Sequence, residues 1–93
     1  MFLRLVQFTL SEGSRSQAQA IADDLIPAIK LQPGCLSAVF FGDADGESGV
    51  CVVWESQAHA EAAAGVISPR LEAHLDGKVV TAPRRGLFPV LAN

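Results

Sequence analysis

Few side chains in this sequence are equipped for more than packing: His59 and His74, Cys35 and Cys51, Arg4 and Gln7 inside an apolar run, and Trp54. His74 falls near the end of a predicted helix, where the negative pole of the helix favours an imidazolium. It is the candidate general base or hydrogen-bond partner of a pocket. His59 sits in the first turn of the same helix, a position that is solvated by default. Neither imidazole has an acid or cysteine at ligand spacing, so no metal site is expected. Arg4 and Gln7 are polar residues in a predicted central strand, where such groups need partners. Their odd spacing points them to opposite faces. Whichever looks toward the helices can orient a polar group of a bound substrate, such as a carbonyl. Arg4 is otherwise expected to pair with an acid such as Glu55, or with one of a second chain. Trp54 joins a large apolar surface to one N–H donor. That suits it to anchor a core or an interface, or to wall a cavity against a flat aromatic ligand. The catalytic candidates are thus His74 and Gln7, and the substrate-binding candidates Arg4 and Trp54.

An alternation of strands and helices must position these groups. Met1 to Leu10 is rich in aromatic and branched residues and ends at Ser11-Glu12-Gly13, the pattern of a strand bounded by a turn. It carries Arg4 and Gln7 and no small-residue cleavage site, and so reads as part of the mature fold rather than a signal peptide. Ser14 and Gln17 have the spacing of a capping box. Ala18, Ile21, Ala22, Leu25 and Ile29 then recur at helical spacing, with Pro27 expected to kink the run and Pro33-Gly34 to stop it. Cys35 to Phe41 reads as a second strand and Val50 to Trp54 as a third, around a loop from Gly42 to Gly49. If that hairpin closes at Ala44–Gly46, Cys51 lies opposite residue 38 or 39 and Cys35 near residue 54, so the two thiols do not meet. Ser56 can cap a second helix, with Ala58, Ala62, Ala63, Val66 and Ile67 as a small, tightly packing face. Ser68-Pro69 is expected to break and restart it, and Asp76-Gly77 to end it. Lys78 to Ala82 reads as the fourth strand, and Leu87 to Leu91 as a further extended segment. Strand, helix, strand, strand, helix, strand is the split βαβ order, an α+β fold with a four-stranded antiparallel sheet and both helices on one face. The first and third strands should be central.

Composition narrows the classes. With 93 residues there is room for a single domain, 1–93, and 49% apolar against 18% charged residues excludes a disordered chain. The formal charge is −3 and no basic run exceeds Arg84-Arg85, which argues against nucleic acid as a partner. No apolar stretch approaches the roughly 18–20 residues of a membrane span, so a cytoplasmic location is expected.

The strands do not alternate as a sheet with one wet face should. Val50 to Trp54 is apolar throughout, Ala38 to Phe41 likewise, and in the first strand Phe2, Val6 and Phe8 occupy one face while Leu3 and Leu5 occupy the other. Two helices cover one face. The second is an apolar surface of roughly 400 Å² in projection, for which a second copy of the chain across a two-fold axis is the simplest cover.

The apolar first strand, Leu25-Ile26-Pro27 within the first helix, Pro33-Gly34-Cys35 and Val52-Val53-Trp54-Glu55-Ser56 before an alanine-rich helix together resemble the antibiotic biosynthesis monooxygenase family. The resemblance implies a ferredoxin-like subunit, a homodimeric α+β barrel and a cavity between each sheet and its own helices. Some members oxidise polyketide or aromatic substrates with molecular oxygen and no metal or flavin, others degrade haem or act as isomerases. Many members carry a histidine near the start of the second helix and another about five residues on; Ala63 and Ser68 hold those places here. The Asn and Trp of the haem-degrading branch fall on Val6 and Ala63, and its His is one residue out of step with His74. The implied function is therefore a cofactor-independent monooxygenase, or a related small-molecule enzyme, acting on an aromatic or polyketide-like compound. The alternative is a non-catalytic dimeric barrel that binds a small apolar ligand or a partner protein.

Overall fold

The strand-forming first residues become the middle of a sheet. In the computed structural model, which describes residues 1–93, β1 (Phe2–Thr9) is followed by a 3-10 turn (Glu12–Gln17), α1 (Ala18–Lys30), β2 (Cys35–Gly42), β3 (Glu47–Trp54), α2 (Gln57–Leu75) and β4 (Arg84–Pro89). The order β2-β3-β1-β4, antiparallel throughout, places β1 and β3 at the centre as expected. This is the α+β ferredoxin-like βαββαβ fold with both helices on one face. No helix is long and apolar enough to cross a membrane.

Register fixes which side chains share a face. Phe2, Arg4, Val6 and Phe8 stand beside Trp54, Val52, Val50 and Ser48 of β3, and Arg4 and Val6 beside Leu87 and Arg85 of β4. This is the helix side. Val6, Phe8, Val50, Val52 and Trp54 are buried there against Ile21, Leu25 and Ile29 of α1 and Leu71 and Leu75 of α2. The other face carries Leu3, Leu5, Cys51, Val53, Val39, Phe41 and Phe88. Val39, Phe41 and Phe88 are exposed, so the apolar open face expected from the sequence is present. The rings of Phe41 and Phe88 lie over Gly49 and Gly86, where a Cβ would collide with them. Cys51 pairs in register with Val39 and Cys35 with Trp54, and both thiols are free.

Several local expectations give way to tertiary demands. The fourth strand is Arg84–Pro89 rather than Lys78–Ala82. Val79 makes only an isolated bridge to Leu10, Val80 bonds Thr9, and the ladder resumes beyond Pro83, which has no N–H to give it. The Ser14–Gln17 capping box does not form: Ser14 is buried, and its hydroxyl accepts from Ser11 Oγ at 3.3 Å. Neither proline interrupts its helix. Pro27 and Pro69 are exposed, so the carbonyl each leaves unbonded can be hydrated, and Ser68 Oγ accepts from Arg85 instead of capping a helix. The packing face of α2 is also shifted. Ala60, Ala63, Leu71 and Leu75 are buried, whereas Ala58, Ala62 and Val66 face solvent.

Candidate functional site

The N-cap of α2 sets the site. Ser56 Oγ accepts from the His59 backbone N–H at 3.1 Å and meets His59 Nδ1 at 2.7 Å, fixing the first turn of the helix. His59 in turn packs on Gly34, whose φ of 82° suits glycine and where a Cβ would strike the imidazole. From this start the helix presents Ala60, Ala63 and Ala64 to Val6, Val50 and Val52 of the sheet. These methyl groups are too short to reach the valines, and a cavity of about 230 Å³ remains between helix and sheet. Ten of its thirteen lining residues are hydrophobic.

The polar lining is limited to Arg4, Ser68 and Arg85. Arg85 is the one exposed residue of the set and so marks the mouth. It donates to Ser68 Oγ at 2.8 Å and to Glu72 Oε1 at 3.2 Å, which ties β4 to α2. Arg4 is half-buried and pairs with no acid of its own chain; Glu55, the partner expected within the chain, is exposed at the strand end. Trp54 is 3% exposed, and its Nε1–H finds no acceptor. No carboxylate, imidazole or thiol lines the cavity.

Of the four residues singled out in the sequence, the structure brings Arg4 and Trp54 to this cavity. Gln7 lies on the opposite face of the sheet, beside Gly49 and Arg84. His74 is on the outer side of the helix pair, its Nε2 2.7 Å from Asp24 Oδ2. Asp24 also receives Arg70 through Nε at 2.9 Å and Nη2 at 2.5 Å, and these hydrogen bonds, with that from His74, hold its carboxyl well below the ordinary value of 3.8. Burial pushes the Cys35 thiol up, against a weaker opposite pull from Lys30. No cluster of three His, Cys, Asp or Glu side chains is placed to hold a metal ion. Arg85 and Ser68 were missed. The period-2 alternation of Arg85 with Leu87 was a usable signal, but only once β4 is placed at Arg84–Pro89.

A four-stranded ferredoxin-like sheet with a ligand-sized space beneath its second helix defines a class of small α+β cavity proteins. Within it, the family model described as antibiotic biosynthesis monooxygenase matches residues 1–65, more than two thirds of the sequence. The chain belongs to the antibiotic biosynthesis monooxygenase family. Solved structures agree on the fold across nearly the whole chain. NE2512, a protein of unknown function from Nitrosomonas europaea, superposes with a TM-score of 0.88 at 15% identity, covering 99% of this chain and 90% of that one. Rv0793 from Mycobacterium tuberculosis gives 0.85 at 17% identity over 99% and 96%. SnoaB, a cofactor-independent oxygenase from Streptomyces nogalater, gives 0.79 at 16% identity over 99% and 94%. No curated protein matches the sequence.

Proposed function

We propose that this protein is a cofactor-independent monooxygenase acting on small ring compounds that ionise to a phenolate or enolate. The observation that carries the reading is a half-buried Arg4, unpaired within its chain, in a mainly apolar cavity beside Trp54. Oxygenation without a cofactor needs a substrate that supplies the electrons itself, and it does so as an anion. A cation in a water-poor cavity lowers the pKa of a bound hydroxyl or activated methylene, because Coulomb attraction is far less screened there than in water. Arg4 and Arg85 provide that field. The valines and alanines exclude water, and Trp54 offers a flat wall for stacking. The activated methylene, as its enolate, reduces dioxygen and forms a hydroperoxide. Loss of water then leaves a carbonyl, so that CH2 and O2 become C=O and H2O. One oxygen atom stays in the product and the other leaves with the two hydrogens of the methylene.

The size of the space sets the substrate scale. A cavity of about 150 Å³ holds benzene, so about 230 Å³ suits one or two fused rings. Aerobic incubation with hydroquinone- and anthrone-type compounds graded from one ring to three should consume oxygen, fastest for two rings, and place one atom of labelled dioxygen in the product. No uptake and no label across the panel would overturn the oxygenase reading. The absence of an acid or imidazole from the lining favours the second reading, a barrel that binds such compounds without turning them over. Saturable binding without uptake is its signature.

The second copy belongs to the same reading. On the open face the centre is apolar, while Arg84 and Glu47 pair with each other at 2.8 Å and Thr9 donates to Glu47 at 2.6 Å. The charges at that edge are satisfied within one chain, so the face calls for no charged partner. An apolar centre with a self-satisfied polar rim suits an isologous contact with its own copy, in a cytoplasmic homodimer.

A further inference from the structure

We infer that the occupant of the cavity carries a carboxylate, and that Arg4 is the residue that selects for it. The inference rests on the cavity being the ligand site and deepens that reading by naming the substrate class, one- or two-ring aromatic carboxylates. One observation carries it. Arg4 brings five N–H donors to the cavity and no group of the chain accepts from them. Trp54 contributes the apolar face of its ring to the lining, its N–H being sealed from the space. A half-buried guanidinium with no acceptor in its own chain describes a site whose acceptor comes from the ligand.

Among side chains the polar lining is one-sided. The guanidinium groups can only donate, and Ser68 Oγ already accepts from Arg85. Nothing in the lining would welcome a cation, an amine or an acid's bound proton. A neutral ring ketone offers one acceptor and no charge. A carboxylate offers two oxygens in the plane that a guanidinium matches with two parallel N–H···O bonds. Arg85 differs from Arg4 in being exposed and held by Ser68 and Glu72. It can remain at the mouth while Arg4 takes the carboxylate, leaving its field for the oxygen that ionises elsewhere on the ring.

The test compares 1-naphthoate with its uncharged near-isostere 1-naphthamide by titration calorimetry on the whole protein. The carboxylate should bind about tenfold or more tighter, its affinity should fall as salt rises, and Arg4→Gln should remove most of the preference. Arg4→Lys should keep part of it, since charge remains but the planar fork is lost. Equal affinity for acid and amide on the wild-type protein overturns the inference and needs no variant that might misfold. So does a preference that survives in folded Arg4→Gln. The two readings fail separately. Tight naphthoate binding with no oxygen consumed from any substrate removes the oxygenase and keeps the anchor. Neutral hydroquinones oxidised as efficiently as their carboxylated derivatives remove the anchor and keep the oxygenase.

Discussion

Replacing Arg4 with methionine should make the protein more stable and less able to hold an anion. Arg4 stands on the central strand between Val52 and Leu87, facing the cavity, half-buried and without a partner. Its methylene stem already packs as a hydrophobe would. Methionine keeps an unbranched stem of similar reach and removes the cost of holding a guanidinium partly away from water. Replacing buried ion pairs by apolar side chains of similar volume is neutral to stabilising by about 1–4 kcal/mol, and a lone buried charge has no Coulomb partner to lose. Half exposure puts Arg4 near the lower end, so a gain of about 1 kcal/mol is expected. For a domain of this size that raises the melting temperature by about 4–8 °C and the urea midpoint by about 0.3–1 M. Both should be measured at one fixed protein concentration, because a dimer's stability depends on it. The same variant should lose the discrimination between naphthoate and naphthamide. A loss of stability of 1 kcal/mol or more would refute the reasoning, for it would mean that Arg4 has a partner in the folded protein and is not waiting for one.

Other perturbations probe other parts of the fold. Gly34→Ala puts a side chain at φ 82° and against the His59 ring; it should cost about 1–3 kcal/mol in urea denaturation, and a change below about 0.5 kcal/mol would show that the α2 start does not lean on Gly34. Asp24→Asn tests the link between α1 and α2. The folded-state pKa of Asp24 lies below 3.8, so its ionised form contributes stability above the ordinary carboxylate range and loses it as pH falls through the lowered value. The variant should therefore be less stable than wild type at neutral pH, with the gap narrowing as acid denaturation is followed downward from about pH 4. A gap that stays constant would contradict the assignment. Val53→Arg places a charge in the centre of the open face; sedimentation at low micromolar concentration should give twice the 9.8 kDa chain mass for wild type and one chain mass for the variant. A dimeric variant, or a monomeric wild type, would show that this face is not an interface.

The sheet was legible because its signals are local and strong. Runs such as Met1 to Leu10 and Val50 to Trp54 leave little choice but strand, Pro33-Gly34 and the stretch Gly42 to Gly49 mark turns, although the strands run further into that loop, to Gly42 and from Glu47, and order then dictates topology. Even the hairpin register of Cys51 and Cys35 follows from where the turn closes. The last strand was not legible. Val79 and Val80 look more like strand than Arg84-Arg85 does, but only tertiary pairing shows that Pro83 breaks the ladder between them. The site suffered most from this, since its second cation, Arg85, stands on the misplaced strand. Of the residues singled out for chemistry, parity of position separated Arg4 from Gln7, but no sequence signal says which parity faces the helices. His74 was the candidate pocket base because the C-terminal end of its helix favours an imidazolium. Its place on that helix instead points it at Asp24, and the contact that decides this comes from α1, some fifty residues earlier in the chain.

The alanines of α2 carry the most informative difference between expectation and structure. At helical spacing, small residues predict close approach of helix to sheet. Here the approach is set by Ile29, Leu71 and Leu75, which hold the helix off while Ala60, Ala63 and Ala64 fall short of the valines beneath. A sealed apolar void of about 230 Å³ would cost about 5 kcal/mol at the rate measured for core cavities, on the scale of the whole stability of a small domain. The opening at Arg85 lowers that cost by admitting water, but a leucine would remove it more fully. Ala63 is buried and borders the empty space, so Ala63→Leu has room for its added branch. It should raise stability by about 1 kcal/mol, and it should weaken naphthoate binding at least tenfold by filling the volume a ring needs. If the leucine instead destabilises the fold by about 2 kcal/mol or more, the space is not available to a side chain, and therefore not to a ligand of one or two rings.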